Sequence, residues 1–474
     1  MELHDATVSR WANLDKVIFN KILSTIFLGA LLAILLMPME LCSPAYAQEP
    51  EPECWAVIVG VPAQQFSDKG FIDAEGNTYF QRTEYPDDDA RDLYRELVSV
   101  WDEDHIKLLL NEEATKVDIY YAIKWLADNA ASDDTVLFCF SGHGNLGTLA
   151  AYDICISDTE LDSWLARLDS ERIVIMLDMC FAGSFSRELG KDGRVVLMSC
   201  QQDESSFEDP ELRHGVFTHY ILQAINNFEA ADINGDYELS AEELFNYAEP
   251  RTADEIIKIY ANEPAIKDRQ HPILYDPHYS SELSLLIKVI FYSNAYFPTD
   301  TTALTVDGKP YLPGELPPSF ILAAGPAHNF NVPSQIDTGK GTRLVFTSWD
   351  DGDISASRTI SHGGEYTANY KTQYQLTIES TYGDYTAEGW YDSGSTANIS
   401  TSSPHGKIIR QVFTGWSGDS TGTEATAAVL MDAPKTVTAN WRTDYTRLYI
   451  LIAGAMAFVG AAITTYILWR RKST

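Results

Sequence analysis

Positive charge is what this sequence has least of. Its 474 residues carry 34 Lys and Arg against 68 Asp and Glu, a formal charge of −34 with a pI near 4.5. A field of that sign repels phosphate backbones, so nucleic acid is not an expected partner. Cysteine is scarce as well. Six in this length are too few for a disulfide-built scaffold, and the core must come from apolar packing. The remainder is ordinary globular composition, 45% hydrophobic and 12% aromatic, which excludes a largely disordered polymer. The length allows about two to four domains.

Both ends carry targeting signals. Lys21 precedes the apolar run Ile22 to Met37, followed by Pro38 and then Ala45-Tyr46-Ala47. A basic flank, a short apolar core and an A-x-A site predict a secretory signal over residues 1–47, cleaved after Ala47. An uncleaved anchor is the alternative, although the run is short for a span. At the other end, Leu448 to Trp469 is free of charge and is followed directly by Arg470, Arg471 and Lys472. This predicts one transmembrane helix over 448–469 and a cytoplasmic tail over 470–474. The expected protein is a single-pass cell-membrane protein with an extracytoplasmic ectodomain.

Between the ends the composition divides in two. From residue 54 to about 290, short apolar runs (Trp55–Val61, Ile106–Leu110, Thr135–Phe140, Ile173–Leu177, Val195–Met198) alternate with helical spacing in Asp87–Val100, Lys116–Asn129, Asp158–Leu168 and Phe217–Phe228. That alternation predicts a mostly parallel sheet with helices on both faces. Reactive groups in such sheets collect at the carboxyl ends of the strands. From 297 to 445 the texture is Thr, Ser, Tyr, Gly and Asp with short alternating runs, which reads as all-β. The octapeptide starting at Thr367 returns at Thr438, 71 residues on, and Phe346-Thr347-Ser348-Trp349 returns as Phe413-Thr414-Gly415-Trp416. Two tandem β-modules are expected. Adhesion to a surface or cell-wall ligand is one reading of them. A spacer whose aromatics form the core is the reading that repeat-equivalent Trp and Tyr favour.

The chemistry sits in the first half. The strand Thr135–Phe140 runs into Ser141-Gly142-His143-Gly144, and the strand Ile173–Leu177 runs into Asp178-Met179-Cys180-Phe181-Ala182-Gly183-Ser184. A thiol needs a base to become a useful nucleophile, and imidazole supplies one near neutral pH. The glycines permit close approach of a carbonyl, so the amides of Gly144 and Cys180 are the candidate oxyanion hole. Taken singly, His143 reads as a turn histidine and Cys180 as a small buried hydrophobe. Paired at the ends of two strands in Gly-rich turns, they point to catalysis.

These two runs resemble the caspase-like cysteine peptidases, the group of legumains, caspases and metacaspases. Trp55-Ala56-Val57-Ile58-Val59-Gly60, Asp88-Asp89-Ala90, Ser199 followed by Glu204-Ser205-Ser206-Phe207, and Gly215-Val216-Phe217-Thr218 agree with the same pattern. The resemblance covers residues 54–290. It implies a caspase-like α/β/α sandwich there, ahead of the all-β repeat modules and the one C-terminal transmembrane helix read from the sequence pattern. It also implies cysteine endopeptidase activity on proteins or peptides, with His143 as general acid/base and Cys180 as nucleophile. Ala182 departs from the pattern, where Ser is common. Asp178, Ser199, Glu204 and Ser205 fall at substrate-pocket positions, although Asp178 reads equally as a ligand of turn amides. Gln270-His271-Pro272-Ile273 and Glu204-Ser205-Ser206-Phe207 look legumain-like, so cleavage is expected after Asn or a basic residue and not after Asp.

Downstream, Asp232-Ile233-Asn234-Gly235-Asp236-Tyr237-Glu238-Leu239-Ser240-Ala241-Glu242-Glu243 has the spacing of an EF-hand loop. Asp232, Asn234, Asp236 and Glu243, with the Glu238 carbonyl, form a candidate Ca²⁺ ligand set. Tyr237 stands where the EF-hand has Gly. The alternative is a turn in which Ser240 caps a helix over Ala241–Ala248, with Glu243 completing a capping box. No organic cofactor is expected. Removal of the signal takes Cys42 and leaves Cys54, Cys139, Cys155, Cys180 and Cys200, an odd number that requires a free thiol. That thiol is assigned to Cys180, and Cys139 is expected buried and reduced. A transamidase of the same family and a non-catalytic surface adhesin remain as alternatives to the peptidase.

Overall fold

The computed structural model describes residues 51–62, 71–72, 78–79, 83–262, 270–277 and 282–472. The predicted secretory signal, with Cys42 and its cleavage site, lies outside the described residues. The first half is built on a six-stranded sheet: β1 (Cys54–Val61), β2 (Ile106–Leu110), β3 (Thr135–Gly142), β4 (Arg172–Asp178), β5 (Arg194–Met198) and β6 (Ile273–Tyr275). The spatial order is β6-β5-β4-β3-β1-β2, and every pairing is parallel except β6 against β5. Strands β1 and β3 are buried at all eight positions, which is why they read as unbroken apolar runs.

Alternate residues of these strands feed two cores. Ala56, Ile58, Leu137 and Cys139 face helices α1 (Pro86–Leu97), α4 (Val216–Asn226) and α5 (Ala241–Ile259). Val57, Val59, Phe138 and Phe140 face α2 (Lys116–Asn129) and α3 (Asp158–Leu165). This is the three-layer arrangement that the strand and helix spacing predicts. Helix α5 runs well beyond the expected Ala248. It passes Pro250, which removes one backbone bond. Arg251 donates to the Tyr247 carbonyl at 2.8 Å and stacks on the Tyr247 ring, while Ile256 is buried further on.

The two halves share a strand. β7 (Ser284–Ser293) puts Leu285 and Leu286 into the core beneath α4 and α5 and pairs with the short strand Glu238–Ser240. It also runs parallel to β9 (Gly364–Ser380), the longest strand of the β-rich half, which pairs with β8 (Thr342–Trp349). Strand β9 then runs parallel to β11 (Lys435–Asp444), which pairs with β10 (Arg410–Gly418). The repeat seen in the sequence is therefore repeated in three dimensions. Trp349 opposes Ala368 and Trp416 opposes Ala439, each beside a bulge in its strand. Both tryptophans are buried, and each donates its indole N–H to a backbone carbonyl, of Ser355 and Glu424 respectively. The repeat-equivalent pairs Phe346 and Phe413, Trp349 and Trp416, and Tyr370 and Trp441 lie in or against the cores, whereas Tyr445, the equivalent of Tyr374, is exposed. From β11 the chain enters α6 (Thr446–Lys472), a 27-residue helix long and apolar enough to cross a membrane.

Candidate active site

Register alone brings His143 and Cys180 together. Ser141 of β3 lies opposite Asp178 of β4, in neighbouring parallel strands. His143 and Cys180 follow these two residues by the same two positions, so both emerge at one height on the carboxyl edge of the sheet. They line one cleft of about 340 Å³ with Asp89, Ser141, Asp178, Met179, Ser206 and Glu208 among its walls.

Each turn is pinned by named contacts. The Ala150 N–H donates to the His143 carbonyl at 2.9 Å. Phe181, directly after the thiol, adopts φ +60°, an unfavourable conformation for a residue with a side chain. It is held there by its N–H to the Glu204 carbonyl (2.8 Å) and by the Ser184 N–H to its own carbonyl (2.9 Å). Ala182 is completely buried in this turn, so the small side chain fits. The two turns touch at Gly144, where an added Cβ would come within 2.4 Å of the Cys180 carbonyl oxygen and 2.8 Å of the Met179 side chain. Gly144→Ala is therefore expected to displace Cys180 and cut activity at least about tenfold while leaving the melting temperature within a few degrees. Parallel kinetics and thermal melts check it, and wild-type rates would contradict it.

Burial pushes the Cys180 thiol above its ordinary value. Contacts with Ser206 and Ser205 act against this, and the charges of Asp178 and Glu208 act with it. The thiol thus rests protonated and depends on a base for ionisation. All five described cysteines are free thiols, and Cys139 is fully buried.

The predicted pocket residues divide. Asp178 lines the cleft, and it also binds a helix start: it accepts from the Thr218 N–H (3.0 Å) and hydroxyl (2.7 Å) at the first turn of α4, and from Ser206 Oγ (2.6 Å). Ser205 is half-buried with its hydroxyl against the Cys180 thiol. Ser199 is not in the cleft. It is fully buried beneath it, accepting from the Met179 N–H at 3.1 Å and donating to the Met179 carbonyl at 3.3 Å, and so braces the turn. Glu204 is also turned away, its carboxylate taken by the His271 backbone N–H (2.8 Å) and ring (2.7 Å).

Three cleft carboxylates, those of Asp89, Glu208 and Glu84, were not expected. Asp89 of α1 is buried, accepting from Ser141 Oγ (2.7 Å) and the Gly215 N–H (3.1 Å), with His214 Nδ1 at 2.9 Å. Burial, aided by the Asp178 charge, pushes it up to about 7 against the hydrogen bonds from His214 and Ser141. Glu208 accepts from the Glu84 N–H (2.8 Å), and burial pushes it up to about 8. Burial alone lowers His214, but its bond to Asp89 and the neighbouring Asp charges reverse this and raise it. Glu84 also lines the cleft, and no Lys or Arg does among the described residues.

The sign of the linkage follows. A carboxylate raised on folding favours the folded state at low pH and loses that contribution as pH climbs through its folded value. A raised histidine acts in the same direction. The protein is expected to melt progressively lower as pH rises from about 5 to about 8. Asp89→Asn should flatten part of that slope, and an unchanged slope would contradict the assignment.

The acidic loop after α4 is wound around Asp232. Asp232 accepts from the backbone N–H groups of Gly235 (2.7 Å), Asp236 (3.2 Å) and Tyr237 (3.1 Å), and Tyr237 itself adopts φ +67°. Oxygens of Asp232, Asp236 and Glu243 lie within 4.8 Å of one another. Asn234 accepts from the Asp236 N–H, while the Glu238 side chain turns away to His362 and Ser284. The capping box of Ser240 and Glu243 is also present. Glu282, unremarked in the sequence, approaches Asn234 (3.3 Å) and Ser240 (2.9 Å).

Comparison with known proteins agrees with these two halves. Residues 76–279 match the caspase domain family model, and residues 374–444 match that of the divergent InlB B-repeat domain. A protein from Geobacter sulfurreducens is similar over 49% of this chain and 97% of its own, at 15% identity and a TM-score of 0.34. Caspase-1 from Spodoptera frugiperda is similar over 50% of this chain and 92% of its own, at 15% identity and a TM-score of 0.33. No curated protein matches the sequence.

Proposed function

We propose, from the premise that residues 76–279 are a caspase domain, that the chain is a cysteine endopeptidase that cuts after a basic residue. Cys180 is the nucleophile and His143 the general acid/base. The observation that carries the specificity is the cleft wall: Asp89, Asp178 and Glu208 converge there without a cationic side chain among the described lining residues. A guanidinium or ammonium group supplies the missing positive charge. An aspartate side chain meets like charge, and an asparagine brings no positive charge to the acidic wall.

In the reaction, His143 takes the thiol proton as Sγ attacks the scissile carbonyl carbon. The amides of Gly144 and Cys180 receive the developing oxyanion. Collapse breaks the C–N bond, and His143 returns the proton to the leaving amine, giving a thioester. Water, deprotonated by His143, then releases the acid and restores the thiol. A series of peptides differing only in the residue before the cut tests this. Arg and Lys are expected to exceed Asn and Asp by at least about 100-fold in kcat/KM. Equal rates, or a preference for Asp, would overturn it.

The loop of Asp232, Asn234, Asp236 and Glu243, with the Glu238 carbonyl, supplies the oxygen donors Ca²⁺ takes, and those of Asp232, Asp236 and Glu243 converge. The ion would neutralise the loop that joins α4 to the strand Glu238–Ser240. Chelation of a millimolar Ca²⁺ sample is expected to lower the melting temperature by about 3–10 °C. Asp232→Ala should melt low and ignore the chelator. If neither treatment moves the melt, the loop binds no cation. Helix α6, with Arg470, Arg471 and Lys472 at its far end, anchors the chain in a membrane with that tail cytoplasmic and the peptidase outside.

A further inference from the structure

We infer that the loop of residues 402–409 in the second β-repeat is a second membrane contact, seating that repeat on the lipid surface beside α6. The inference rests on the reading of α6 as a membrane span. Strand β11 ends at Asp444 and α6 begins at Thr446, whose N–H donates to Asp444 at 2.9 Å. Arg410 lies opposite Asp444 in the register and is ion-paired to it. The residues just before Arg410 therefore sit level with the first turn of α6. The contact is direct, with Arg447 Nη1 donating to the Lys407 carbonyl at 3.4 Å.

At that level the loop presents two adjacent isoleucines, Ile408 and Ile409, each 48% exposed. Their own repeat does not need them, since its core is formed by Leu376, Ile378, Val429 and Val437 among others. Tyr445, just before α6, and Tyr449 in its first turn are exposed and lie ring to ring at 6.2 Å. Tyrosine at the helix entrance and apolar side chains pointing the same way are what a headgroup boundary takes up. Exposed Lys407, Arg442 and Arg447 cluster here in a chain of net charge −34, which suits an anionic lipid surface. The occupant is thus the leaflet that α6 enters. None of the most apolar stretch of α6 is buried against the protein.

The test places one environment-sensitive NBD fluorophore at a time in the full chain, with Cys42, Cys155 and Cys180 replaced by serine and the remaining thiols buried. Labels are attached at Ile408→Cys, at Phe458→Cys inside α6, and at Thr421→Cys past the opposite end of β10. The protein is reconstituted in phosphatidylcholine–phosphatidylglycerol vesicles containing a doxyl-labelled phosphatidylcholine. Positions 408 and 458 are expected to be quenched at least about twofold, and position 421 not. Ile409→Asp should abolish the quenching at 408 and leave that at 458. Quenching at 458 with 408 behaving like 421 overturns the loop contact and leaves the span standing. Quenching at neither position overturns both.

Discussion

Cys180→Ala is expected to leave no measurable peptide cleavage, a loss of at least about 10⁴-fold, with a melting temperature close to that of the wild type. The thiol has one hydrogen-bond acceptor at long range, the Ser206 carbonyl at 3.6 Å, so its removal disturbs little structure. His143→Ala should be nearly as inactive, but its residue of activity should differ in pH dependence. Burial holds the thiol protonated near neutrality, and His143, the proposed base, lines the same cleft. Without that base, thiolate forms only as the solvent approaches the raised pKa, so the remaining rate should climb steadily through alkaline pH. A His143→Ala enzyme with a wild-type pH profile would show that another group is the base.

The second large effect belongs to the pocket. Asp178→Asn is expected to lower kcat/KM for a P1-Arg peptide by about 10²–10³-fold and to spare a peptide with uncharged citrulline there. Asparagine cannot accept from both Ser206 and Thr218 as the carboxylate does, so a stability loss of about 1–3 kcal/mol should accompany it. An equal fall for both peptides would reduce Asp178 to a brace for α4. The pocket also carries a pH signature. With Asp89 pushed up to about 7 and Glu208 to about 8, a bound cation must drive protons off them. KM for P1-Arg is therefore expected to fall as pH rises from about 6 to about 8.5, while KM for citrulline stays level.

The shared cleft of His143 and Cys180 is legible in the sequence because each follows an apolar strand, and parallel pairing at one register brings both to the same edge. The pocket is less legible because its acids come from elsewhere. Asp89 carries a faint signal: it shares the buried stripe of α1 with Ala90, Leu93 and Leu97, an odd place for an acid. Glu208 carries none, since it is held by backbone donors from residues 84 and 85, far away in the chain. Ser199 and Glu204 lie in a loop whose course depends on Met179 and His271, and local spacing says nothing of those contacts. The tandem repeat was readable because equivalent tryptophans recur. The strand that fuses it to the peptidase was not, because β7 finds its partner at Gly364, far along the chain.

Cys180 is expected to attack a carbonyl following a basic side chain held by the acidic cleft. The most direct measurement is peptide mapping by mass spectrometry after reaction with a peptidyl-arginine acyloxymethyl ketone, beside its aspartyl counterpart. The arginyl reagent should place one adduct on Cys180, and the aspartyl reagent should leave that residue unmodified. An adduct on another cysteine, or equal labelling by both reagents, would contradict the account.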